Sequence, residues 1–112
     1  MPFVSIQTNV DVKDAEGIQL ALSKSLAEGT GKPERAIMTA FNTLPAMTFA
    51  GSPDAAVFME CKSIGLTAEQ ASELAARLCS FCEEHLGVAK DRVYIEFVSP
   101  ERPFWGWNGD TL

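Results

Sequence analysis

The chain has 112 residues, 46% hydrophobic and 21% charged, which suits one compact domain and excludes a disordered tail or a two-domain protein. A formal charge of -6 argues against the clustered basic footprint that a nucleic-acid backbone requires. Polar residues from Gln7 to Asp14 interrupt the first apolar stretch before signal-peptide length, and no segment approaches the ~20 apolar residues of a membrane span. A cytoplasmic protein without nucleic-acid or membrane partners is therefore expected, with any release proceeding by a route that needs no signal peptide.

Residues 2 to 8 alternate Phe3, Ser5 and Gln7 against Val4, Ile6 and Thr8, the period of a strand with unlike faces. The strand starts at Pro2, directly behind the initiator methionine. Removal of Met1 would leave a ring nitrogen able to take up a proton. An ordinary α-amino group titrates at roughly 7.7 to 8.0, and burial or a nearby cation pushes it toward the neutral, proton-accepting form. Pro2 is thus a candidate base.

Asp14 can cap a helix whose apolar positions Ala15, Ile18, Leu22 and Leu26 recur at three and four residues, before Gly29, Gly31 and Pro33 close it. The turn Thr30-Gly31-Lys32-Pro33-Glu34 then sets Lys32 where the chain enters a second strand, about 36 to 42. There it is either a solvated loop cation or an anion clamp. Two prolines and a glycine between 44 and 53 permit only a short strand among turns. A third long strand, 55 to 63, ends at Ser63-Ile64-Gly65, where backbone N–H groups freed from the ladder can hold a carboxylate.

Thr67 and Gln70 offer a capping box for a second helix that carries Ala71, Leu74, Leu78, Cys82 and Leu86 inward and ends at Gly87. Cys79 and Cys82 have redox spacing but fall in the last third of that helix, where the dipole disfavours a thiolate. With Cys61 they read as free, packed thiols. His85 stands alone without a ligand set, so neither a metal nor a cofactor is expected. A strand over 92 to 98 alternates Val93, Ile95 and Phe97 with Tyr94, Glu96 and Val98, and Phe104-Trp105-Gly106-Trp107 begins a C-terminal strand.

The halves, about 1–53 and 54–112, repeat one plan, with Glu34-Arg35 answering Asp91-Arg92. The expected fold is α+β, with α/β connectivity locally. Two βαβ units form one four-stranded mixed sheet with two helices on one face, plus short extra strands, in a single domain. Right-handed crossovers place both helices on the same side. The other face must be solvated or covered, and apolar residues such as Val4, Ile6, Val57 and Met59 suggest that neither face is purely polar, so an oligomer is expected.

Six segments occur in a telling order: Pro2 with its strand through Thr8-Asn9-Val10, Gly31-Lys32-Pro33, Pro45-Ala46-Met47 before Phe49-Ala50-Gly51-Ser52, Ser63-Ile64-Gly65, Asp91-Arg92-Val93-Tyr94-Ile95, and Gly106-Trp107-Asn108-Gly109. From end to end the chain resembles the macrophage migration inhibitory factor family of the tautomerase superfamily. The resemblance implies a homotrimer with sites at subunit boundaries and a keto-enol tautomerase, phenylpyruvate tautomerase-like or dopachrome tautomerase-like, acting on small aromatic keto or enol acids. It assigns Pro2 as general base, Lys32 and Ile64 as contacts to the substrate, Tyr94 and Glu96 as contributions from a neighbouring subunit, and Phe97, Trp105 and Trp107 as an apolar rim. The alternative is a cytokine mimic or interaction protein that meets a receptor through its surface, with the pocket a vestige or a regulatory ligand site.

The chain departs from animal members in carrying Glu96 for an asparagine, Ala36 for a tyrosine and Leu112 for an aromatic residue. Ala56 and Met59 replace the cysteine pair of the cytokine forms, so thiol-oxidoreductase activity is not expected.

Overall fold

A computed structural model describes residues 1–112. Strand β1 (Phe3–Thr8) follows the period-2 pattern, with Val4, Ile6 and Thr8 fully buried and Phe3, Ser5 and Gln7 on the opposite face. Helix α1 (Ala15–Thr30) begins where the Asp14 side chain accepts the Gly17 N–H at 3.0 Å and ends at Gly31, whose left-handed backbone (φ 72) suits glycine. A 3₁₀ turn, Glu34–Ala36, occupies the start of the expected second strand, so β2 runs Met38–Thr43.

Strand β3 (Val57–Lys62) and helix α2 (Ala68–Leu86) follow, the helix opened by the Thr67–Gln70 capping box and closed by Gly87. A second 3₁₀ turn, Lys90–Arg92, leads into β4 (Val93–Val98). The segment 44–53 contributes only a bridge between Phe49 and Ser52. The C-terminus is a hairpin, β5 (Gly106–Trp107) and β6 (Asp110–Thr111), turned by Asn108 and Gly109, both with positive φ.

The sheet order is β2-β1-β3-β4, with β1 parallel to β2, β3 parallel to β4, and the central pair β1 and β3 antiparallel. Leu22 and Leu26 of α1 and Leu74, Leu78 and Cys82 of α2 pack with Val4, Ile6, Val57, Met59 and Cys61 into one core. These four strand residues, Val4, Ile6, Val57 and Met59, therefore lie beneath the helices and give no information about the other face. That face carries Phe3, Phe58, Met38 and Tyr94 beside Glu60 and Glu96, an apolar and acidic mixture.

An internal two-fold relates the halves. It exchanges the Phe3–Lys62 pair with the Gln7–Phe58 pair and superposes the closing glycines, Gly31 on Gly87. The 3₁₀ turns match end for end, because Ile37 and Val93 each close one with an N–H bond to its first carbonyl. Ala36 therefore corresponds to Arg92, one residue out of step with the Glu34-Arg35 and Asp91-Arg92 match suggested by residue type.

Two side chains tie the halves together. Asn9 donates to the carbonyls of Met47, Pro53 and Asp54 and accepts the Ala56 N–H at 2.9 Å. Arg92 donates to the carbonyls of Phe49, Ser52, Asp54 and Ala55 at 2.9 to 3.2 Å, and its guanidinium lies 5.3 Å from the Phe49 ring centre. Asn9→Ala should cost about 1–3 kcal/mol of stability by leaving these backbone groups without partners. Urea unfolding with an unshifted midpoint would refute this.

Candidate functional site at the β1 end of the sheet

Antiparallel pairing of β1 with β3 sets Phe3 across from Lys62, so the start of the first strand lies beside the end of the third. Parallel pairing then brings the entry to β2 and the exit of β4 to the same end. Pro2 occupies this end, buried, with its carbonyl accepting the Met38 N–H at 3.0 Å. A proline at the first position of a strand loses no ladder bond.

Lys32 reaches this point from the turn after α1. Its backbone N–H donates to Thr30 Oγ1 at 3.2 Å, and its Nζ donates to the Ile64 carbonyl at 3.2 Å. That bond leaves the ammonium with further donors to offer. The Ile64 N–H has no partner within the chain, while its neighbour Ser63 donates to the Val98 carbonyl at 3.0 Å. Ile64 thus offers a free N–H beside a lysine that its own carbonyl positions.

The Met1 amine is held down at about 6, from an ordinary 8.0. Burial is the largest cause, followed by a hydrogen bond from Lys32 and by the charges of Lys32 and Arg102. Each acts against the ammonium form. The site is therefore a place where an amine is kept neutral.

A cavity of about 440 Å³ opens over Pro2, walled by Arg35, Ala36, Met38, Trp105 and Trp107. Trp105 is half-buried and Trp107 exposed. The hairpin carrying Trp107 is anchored where the Leu112 N–H donates to the Trp105 carbonyl at 3.0 Å. A larger concavity of about 730 Å³ lies between the solvent sides of α1 and α2, but it is an open polar groove that none of Pro2, Lys32 and Ile64 lines.

Three expected site residues lie elsewhere in the single chain. Tyr94 pairs with Phe58, which pairs with Gln7, so it is at the opposite end of the sheet, ~16 Å along the strands from Pro2. Its ring meets Phe49 edge-on, centroids 4.6 Å apart, beside an apolar cavity of about 380 Å³. Glu96 is exposed in the middle of the uncovered face, across from Glu60. Phe97 points the other way and packs against the core beneath the helices, so it does not wall the Pro2 cavity.

Arg35 and Met38 wall the Pro2 cavity and Arg102 acts on the amine by its charge, and sequence reasoning pointed to none of the three. Arg35 had a visible signal, since it follows Lys32 by one 3₁₀ turn. Arg102 had none. The cysteines are free, and burial pushes the thiols of Cys61 and Cys82 up to about 11 and about 12 and raises that of Cys79. Thiolate chemistry is disfavoured there. His85 stacks on Phe81 at 4.2 Å in the last turn of α2.

Duplicated βαβ units around an antiparallel centre, with a lysine beside an N-terminal amine at the strand end, define a domain of the tautomerase superfamily. The family model described as macrophage migration inhibitory factor matches residues 1–112. The chain belongs to that family. It is 33% identical to macrophage migration inhibitory factor of Meriones unguiculatus, over 100% of this chain and 99% of that protein. It is 32% identical to D-dopachrome decarboxylase-B of Xenopus laevis, over 100% and 98%. The crystal structure of the homologue from Prochlorococcus marinus matches with a TM-score of 0.92 at 39% identity, covering 97% of each chain.

Lys32→Ala should raise the Met1 amine from about 6 toward 8.0 without reaching it, because burial persists when the bond and the like charge are gone. The pH dependence of amine acylation in Met1-retaining protein measures this, and an unmoved midpoint would show that Lys32 does not tune the amine.

Proposed function

We propose that the protein is a keto-enol tautomerase of aryl α-keto acids in which loss of Met1 makes the Pro2 nitrogen the general base. The observation that carries this reading is buried Pro2 at a strand end where burial and the Lys32 ammonium act together against a charged amine. At an ordinary value near 8, only about a tenth of such amines are free base at pH 7; near 6, about nine-tenths are.

The chemistry needs little more. The ring nitrogen removes a proton from the carbon next to the ketone, the C–H electron pair becomes the C=C bond, and the C=O π pair moves to oxygen, which takes up a proton from solvent while the Pro2 nitrogen gives its own back to solvent. Nothing is oxidised or reduced. Lys32 and the Ile64 N–H hold the carboxylate, and Trp105 and Trp107 flank the aromatic ring. The Xenopus laevis relative, named D-dopachrome decarboxylase-B, supports small-molecule chemistry for this chain.

Completion of the site takes a second subunit. Tyr94 and Glu96 reach Pro2 only from a neighbouring copy, because within one chain Tyr94 stands at the far end of the sheet. The uncovered face, with Phe3, Phe58 and exposed Tyr94, is suited to burial in a homotrimer.

Pro2→Gly and a Met1-retaining form should each lose about 10²–10⁴ in kcat/KM on phenylpyruvate relative to mature protein, the range for a positioned base. Equal activity in all three would end the reading. The mature enzyme should lose kcat/KM as acid protonates the base, with its midpoint below the ordinary 7.7 to 8.0, and Lys32→Ala should move that midpoint upward.

Co-assembled Pro2→Gly and Tyr94→Ala subunits test the shared site separately. Random mixing should restore intact Pro2–Tyr94 pairs at about a quarter of the boundaries. Activity no greater than that of the separate variants would show that the site lies within one subunit.

A further inference from the structure

The cavity over Pro2 carries more positive charge than one carboxylate requires. Arg35 forms part of its wall, and Arg102 begins the 3₁₀ turn that leads into Trp105. Both are exposed, and neither guanidinium makes a hydrogen bond or ion pair within the chain, whose one ion pair is Arg77–Glu28. Arg92 behaves in the opposite way and spends its donors on four loop carbonyls.

Lys32, Arg35 and Arg102 are three of nine basic residues in a chain of net charge -6, yet from separate segments Arg35 walls the cavity that holds Met1 while the charges of Lys32 and Arg102 act on the Met1 amine. Grouping unpaired cations costs repulsion that an arriving anion relieves. Lys32 and Ile64 account for one carboxylate. Arg35 and Arg102 remain, and a guanidinium fork suits a second carboxylate by paired hydrogen bonds. Ala36 beside Arg35 leaves room for a ligand to extend that way.

We infer that the favoured substrate is an aryl α-keto acid bearing a second carboxylate, which Arg35 and Arg102 receive at the cavity mouth while Lys32 holds the first. The inference rests on the keto-acid reading of the site and deepens it. All three cations belong to one chain, so the preference is built into each subunit. It also opposes the overall negative charge, which by itself disfavours dianions.

Trp105 and Trp107 are the only tryptophans, so intrinsic fluorescence reports on this cavity. Titration with cinnamate and with 4-carboxycinnamate should show the dianion binding about tenfold more tightly at low salt, a ratio that shrinks as salt screens the pair. Arg35→Ala with Arg102→Ala should bring the ratio close to one, and Arg35→Gln alone should remove part of it. A dianion that binds no better than the monoanion, or a preference that survives the double variant, would overturn the inference. Binding preference without turnover of any keto acid would overturn the Pro2 reading and the substrate assignment with it, leaving a dianion site; turnover without dianion preference would overturn the inference and leave the Pro2 reading standing.

Discussion

The antiparallel contact between β1 and β3 is the constraint on which the site depends. Each βαβ unit is parallel within itself and sends its two strands in the same direction. Because the central pair runs antiparallel, the beginnings of β1 and β2 meet the ends of β3 and β4. Pro2, the Lys32 turn, Ile64 and the segment leading to Trp105 thereby converge without a long loop. A parallel centre would have carried Ile64 and Trp105 to the opposite end, away from the amine.

Convergence supplies the electrostatics. Water is partly excluded at the strand end, so the ammonium form of an amine loses solvation there, and Lys32 adds a like charge at close range. The Ile64 carbonyl accepts one of the lysine's N–H bonds. A single backbone carbonyl thus orients the cation, and the cation tunes the amine. The core on the other side of β1, where Val4 and Ile6 are fully buried, keeps that strand from yielding.

Much of this was legible in the sequence for a physical reason. Period-2 alternation in β1 and β4, the helix caps at Asp14 and Thr67 and the closing glycines are local signals, and each element formed about where those signals put it. The duplication was legible as well, but its alignment was not. Residue type matched Arg35 to Arg92, whereas backbone geometry matches Ala36 to Arg92, since charge is a weaker guide to register than the bond that closes a turn. Which way Phe97 faces was in the alternation itself, as it shares parity with buried Val93. Arg102 could not be found, because its relation to the amine exists only once the chain has crossed from the end of β4.

Ala36 and Arg92 occupy equivalent places, and the difference between them breaks the molecule's internal symmetry. In the second half, the long side chain fills the space at the strand entrance and braces Phe49 against Tyr94. In the first half, a methyl group leaves that space vacant over Pro2. The two ends of the subunit therefore differ, with a cavity walled by Arg35 and two tryptophans over Pro2 and an apolar one beside the braced Phe49 and Tyr94, a head and a tail made from one repeated plan. Contacts between unlike ends are directional, and directional contacts that close give rings rather than face-to-face pairs.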